Sequence, residues 1–143
     1  LLVRAGRAES IQDAFDRWLA KGRLGYVEKQ RLTPPQAVRL ARASGGVPVL
    51  AHPLTLDLPP TTLESRVREL ASCGLGGLEA LYSRYSAPTR GELESLAHRA
   101  GLAVTGGSDH HGAYKPDLSV GVGAGDLAVP DGLLDVLRER VEA

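Results

Sequence analysis

The sequence has no methionine, a single cysteine (Cys73), one tryptophan and one phenylalanine among its 143 residues. With one cysteine there is no internal disulfide, and only a mild lean toward a reducing, cytoplasmic compartment. No apolar run approaches the roughly 18–20 residues that span a bilayer, so no transmembrane helix is expected. The chain opens without a signal-peptide pattern. Neither charge is in excess: 17 Lys plus Arg balance 17 Asp plus Glu, so no overall field draws the protein to nucleic acid or to an anionic membrane. Anion binding must therefore be local. The lack of methionine, together with a start at Leu1-Leu2, points to a piece of a longer polypeptide. The remaining composition, 43% hydrophobic and 24% charged, is that of a soluble globular chain of one-domain length.

Segments of helical spacing alternate with short apolar runs. Ser10 opens a helix with Ile11, Ala14, Phe15, Trp18 and Leu19 on one face, which predicts core roles for Phe15 and Trp18. Residues 26–31 form an extended connector. Thr33-Pro34-Pro35-Gln36 combines an N-cap Thr, an N1 Pro and an N3 Gln, ahead of an apolar face of Ala37, Val38, Leu40 and Ala41. Val47-Pro48-Val49-Leu50-Ala51 is continuously apolar, as expected of a strand covered on both faces, with Pro48 keeping its first residues outside the ladder. Thr61-Thr62-Leu63-Glu64 is a second capping box, before Leu63, Val67, Leu70 and Ala71 at helical spacing. Cys73, at the end of that stretch, has the place of a small buried apolar residue. Leu78–Tyr82 is a strand, and residues 86–100 are a helix with Leu93, Leu96, Ala97 and Ala100 inward and His98 solvated. Leu102–Thr105 is a third strand. A last helix begins at Pro130-Asp131, with Leu133, Leu134, Leu137 and Val141 inward.

This alternation predicts an α/β fold with a parallel sheet or barrel, in which ligands gather at the carboxyl ends of the strands. Those ends carry His52, the cluster Tyr82-Ser83-Arg84, and the stretch Gly106-Gly107-Ser108-Asp109-His110-His111-Gly112. Carboxylate oxygen with imidazole nitrogen suits zinc, manganese or iron rather than calcium. In extended geometry Asp109 and His111 share a side while His110 faces away. Arg84 is the foremost candidate for phosphate, because a guanidinium binds it bidentately. Lys29 and Lys115 are further candidates. Tyr82 is placed either to stack a base or to cap the core.

Gly45-Gly46-Val47-Pro48-Val49-Leu50-Ala51-His52-Pro53 and Gly107-Ser108-Asp109-His110-His111-Gly112 together resemble the third and fourth metal motifs of the polymerase and histidinol phosphatase (PHP) superfamily of phosphoesterases. The segment 77–83 and the stretch from Asp13 to Val27 are similar to the branch of nucleoside 3',5'-bisphosphate phosphatases and RNA 5'-end exonucleases. The resemblance implies the C-terminal portion of a distorted (β/α)7 barrel, with residues 1–143 as part of a single PHP domain. It also implies two or three divalent ions in the complete domain, and a nucleotide or short oligonucleotide substrate. By resemblance His52, Asp109 and His111 are metal ligands, and Asp109, beside the attacking water, is the candidate proton acceptor. His110 stands where the family commonly has an aromatic residue and takes no ligand role. The family's His-x-His motif is not in the sequence, which places the missing N-terminal half of the domain before Leu1 and predicts weak or no activity for residues 1–143 alone. Two other readings are a phosphatase of a small metabolite such as histidinol phosphate and a non-catalytic PHP-like domain.

Overall fold

Two units make up the chain, Leu1–Arg31 and Leu32–Ala143, in a computed structural model that describes residues 1–142. In the first unit, Ser10 Oγ accepts from Asp13 N–H at 3.1 Å and starts α1 (Ile11–Ala14). The helix widens at once into a π-helical turn, Phe15–Leu19, closed by Ala20 N–H on Phe15 O at 2.8 Å. Trp18 is half-buried, with its indole N–H on Arg7 O at 3.1 Å, beside buried Ala8 and Ala14. Ile11, Phe15 and Leu19 are exposed, Phe15 by 51%, so Phe15 is not the core residue its spacing implies. The π turn breaks the 3.6-residue stripe, and a 31-residue unit has too little volume to cover it.

The second unit begins as its cap predicts. Thr33 N–H donates to the Gln36 side chain at 2.8 Å, and α2 (Pro34–Ala43) follows, with Val38 buried and Leu40 exposed. β1 is only Val49–Leu50, half-buried rather than covered on both faces. Pro48 lies outside it, and its carbonyl accepts from Gly76 N–H at 2.8 Å. α3 (Pro60–Ser72) starts one residue before the Thr61 box, because Pro60 at the first helical position already has the φ a helix needs. Glu64 is thereby free to pair with Arg68 at 2.8 Å and with Arg99 at 2.9 Å. These pairings, the one to Arg99 first, lower its pKa to about 2. β2 (Gly77–Tyr82), α4 (Ala87–Arg99), β3 (Ala103–Gly107) and α5 (Gly132–Glu142) complete the described elements.

The three strands form one parallel sheet in the order β1-β2-β3. Its core joins Leu63 and Val67 of α3, Leu78 and Ala80 of β2, Leu93, Leu96 and Ala97 of α4, and Val104 of β3. The predicted inward faces of α3 and α4 are thus the buried ones, and His98 is exposed. Of the four α5 residues expected inward, Leu133 and Leu137 are half-buried while Leu134 and Val141 are exposed. Cys73 is half-buried, its Sγ 3.8 Å from Arg39 Nη1, rather than a core residue.

One irregularity in the sheet sets the site. Glu79 pairs with Thr105, but beyond it the register shifts, so that Leu81 pairs with Gly106 and Tyr82 with Gly107. Residues three apart on a regular strand point to opposite faces. The bulge removes that conflict and sends Glu79 and Tyr82 to the same side of β3. Gly106 makes room for it: a Cβ there would lie 2.5 Å from Leu81 Cβ and 2.6 Å from Leu81 O.

Candidate functional site

His52 leaves β1 in the left-handed region, at φ 39°. Such a backbone costs a non-glycine residue about 1–2 kcal/mol. Three hydrogen bonds hold it: His52 N–H donates to Glu79 Oε2 at 2.7 Å, and His52 O accepts from Thr55 Oγ1–H at 2.7 Å and from Thr55 N–H at 2.9 Å. The imidazole Nε2 lies 3.8 Å from Glu79 Oε2, and the ring sits 5.0 Å from that of Tyr82.

Asp109 is also left-handed, at φ 55°, so the segment after β3 turns instead of running extended. Asp109 and His111 still meet, by way of this turn: His111 Nδ1 lies 2.7 Å from Asp109 O and 3.4 Å from Oδ1. His110 goes elsewhere, with Nδ1 2.6 Å from Leu118 O. Asp109 Oδ2 accepts the Tyr82 hydroxyl at 2.8 Å and is also paired with the Lys115 ammonium. Lys115 first, then Tyr82, holds the Asp109 carboxyl below its ordinary pKa. Burial, with the hydrogen bond to Asp109 next, pushes the Tyr82 phenol up to about 12. Tyr82 is therefore a neutral donor linking the two ends of the site, its ring beside His52 and its hydroxyl on Asp109. Its other face meets the Tyr85 ring at 4.9 Å, edge on, so it caps the core.

Arg84 is exposed and paired with Asp117 at 2.9 Å. Lys29 is an exposed residue of the first unit. Two residues that pattern reading passed over are built into the site. Glu79 anchors His52, and its only signal is a carboxylate inside an apolar strand. Arg90, 7% exposed, donates to Tyr82 O at 3.1 Å, to Ser83 O at 3.3 Å and to Asp126. It ties the end of β2 to the glycine-rich passage, and its signal is a charge on the stripe of α4 that also carries Leu93 and Ala97.

The donor chemistry, oxygen with imidazole, fits a divalent transition ion. Its arrangement among the described residues is two pairs, His52 with Glu79 and Asp109 with His111, and no three such side chains close on one point.

A parallel α/β sheet with carboxylates, imidazoles and a guanidinium at its carboxyl rim defines the class: an α/β domain with its polar groups gathered at the strand ends. No protein-family model matches the sequence. It is 36% identical over 110 residues to the 5'-3' exoribonuclease Rnm of Escherichia coli (strain K12), across 77% of this chain and 38% of that protein. It is 29% identical over 120 residues to the 3',5'-nucleoside bisphosphate phosphatase of Chromobacterium violaceum, across 84% of this chain and 42% of that one. A crystal structure described as a metal-dependent phosphoesterase of Bifidobacterium adolescentis superposes with a TM-score of 0.66 at 28% identity, over 97% of this chain and 47% of that one. The chain belongs to the PHP-type phosphoesterases, in the branch of these exoribonucleases and bisphosphate phosphatases. It spans about two-fifths of the length of the curated relatives it matches. No helix among the described residues is long and apolar enough to cross a membrane.

Proposed function

We propose that the full-length protein is a metal-dependent phosphoesterase of nucleotides or short oligonucleotide ends, working in the cytoplasm, and that this chain is the C-terminal part of its single PHP domain. The observation that carries this reading is the placement of His52, Tyr82, Asp109 and His111 at the carboxyl ends of three parallel strands, with Glu79 of β2 bonded to His52 and Tyr82 to Asp109. The names of the relatives, an exoribonuclease and a nucleoside bisphosphate phosphatase, support the substrate class. His52, Asp109 and His111 are this chain's contribution to the ligands of manganese, zinc or iron, of which the complete domain holds two or three. When bound, such an ion stabilises charge on a phosphoryl oxygen.

The chain's own side chains do the rest. Asp109 is the proton acceptor, with Oδ1 the oxygen not taken by Tyr82 or Lys115. Glu79 fixes the strained backbone of His52 and so the direction of its ring. Arg84 presents a forked donor to a phosphate.

With manganese, the protein is expected to release phosphate from a nucleoside 3',5'-bisphosphate and mononucleotides from a 5'-phosphorylated oligoribonucleotide, in preference to histidinol phosphate. Asp109→Ala is expected to lower turnover by about a thousandfold or more. Normal turnover by that variant would remove Asp109 from the chemistry.

A further inference from the structure

Arg84 and Lys115, the phosphate-binding candidates of the second unit, are both engaged within the chain, and one short segment supplies one charge of each pair. That segment begins with the 3-10 turn Gly112–Tyr114. Lys115 from it pairs with Asp109 Oδ2, and Asp117, two residues on, holds Arg84 at 2.9 Å. Pro116 lies between them, with φ restricted by its ring. Beyond them the segment is pinned, since Leu118 is buried and its carbonyl lies 2.6 Å from His110 Nδ1. A cation thus sits on the candidate ligand carboxylate and an anion on the candidate phosphate-binding guanidinium. A divalent ion and a phosphate would present that same charge pattern to the same two groups.

Resting on the phosphoesterase reading, we infer that residues 112–117 are an internal strap: Lys115 stands in for the metal ion at Asp109, Asp117 stands in for the substrate phosphate at Arg84, and both are displaced when those ligands bind. The two contacts differ in strength. Arg84 and Asp117 have side chains about half exposed (49% and 56%), and such pairs contribute little, so a phosphate taking the guanidinium bidentately displaces Asp117 readily. Asp109 is 11% exposed, so the Lys115 pair is less screened and competes harder. A ligand that must first displace an internal partner binds with its affinity reduced by the fraction of open protein. Removing the stand-in charge restores that fraction.

The test is calorimetry on the full-length protein, with manganese titrated into wild type and Lys115→Met, and inorganic phosphate into wild type and Asp117→Asn. Each substitution is expected to tighten its own ligand about three- to tenfold. Adding Arg84→Met to Asp117→Asn is expected to abolish the gain for phosphate. Equal affinities in wild type and variants overturn the strap, and if manganese still binds, the phosphoesterase reading stands. Tightening of only one ligand overturns it as a single device. Failure of every version to bind manganese overturns the phosphoesterase reading and the strap together. A second measurement needs no substitution. Lys115 and Leu118 N–H donate to the Gly112 and Lys115 carbonyls, and adding manganese with phosphate is expected to speed their amide exchange. Unchanged or slower exchange there would sink the proposal.

Discussion

Tyr82 does more for the site than its two sequence readings, stacking and capping, suggested. Its hydroxyl is one of two groups that hold the Asp109 carboxylate, and its ring lies between those of His52 and Tyr85. Tyr82→Phe keeps the ring and removes the hydrogen bond, which is expected to cost about 1 kcal/mol in chemical denaturation. It should also raise the Asp109 pKa, since one of the two groups favouring the charged form is gone. The phenol itself titrates near 12 when folded, against an ordinary value of 10.0. A raised acid pKa stabilises the fold while pH is below the unfolded value and loses that stabilisation as pH climbs through the folded one. The stability gap between wild type and Tyr82→Phe should therefore narrow between about pH 10 and 12, and a constant gap would count against this assignment. At this scale His52, Arg84, Asp109 and His111 were legible as chemistry-bearing residues at strand ends. Glu79 and Arg90 were not, because nothing local distinguishes a carboxylate or guanidinium with a buried job from a solvated one.

Among the elements, β2 is the one to which the others answer. It carries Leu78 in the core, Glu79 under His52 and Tyr82 at the rim. Arg90, from the helix that follows, fixes the rim by donating to the carbonyls of Tyr82 and Ser83. Arg90→Met would leave those carbonyls without their donor, at a cost of about 1–3 kcal/mol in a urea melt. Arg90→Lys should restore only part, since an ammonium cannot fork between three acceptors in fixed geometry. Melting equal to wild type in the Met variant would show that the rim does not depend on this side chain. Element type and order for the α/β portion followed from capping residues and apolar periodicity. The bulge in β2 did not, since it depends on how closely Gly106 lets Leu81 approach, a contact between strands about twenty-five residues apart.

For the molecule as a whole, the balance of 17 positive and 17 negative residues hides an asymmetry. Residues 1–31 hold seven Lys or Arg against four Asp or Glu, a net of +3, and the remainder carries ten against thirteen, a net of −3. The described residues bring two pairs of ligand-type side chains together without closing a group of three. On the proposed domain assignment, residues 1–143 expressed alone should show weak or no phosphatase activity with manganese, while the full-length protein turns over. Full activity from the short chain would contradict that assignment. The amino-acid order was enough to set the α/β alternation, the strand ends that carry carboxylate and imidazole side chains, and the family, because caps, apolar spacing and short motifs act over a few residues. Tertiary structure alone decided that Tyr82 bridges His52 to Asp109, that Glu79 rather than a neighbour anchors His52, and that Lys115 and Asp117 pair with Asp109 and Arg84. Each of these is a meeting of side chains from separate strands and loops, and its geometry depends on sheet register and on turns at positive φ that no local pattern encodes.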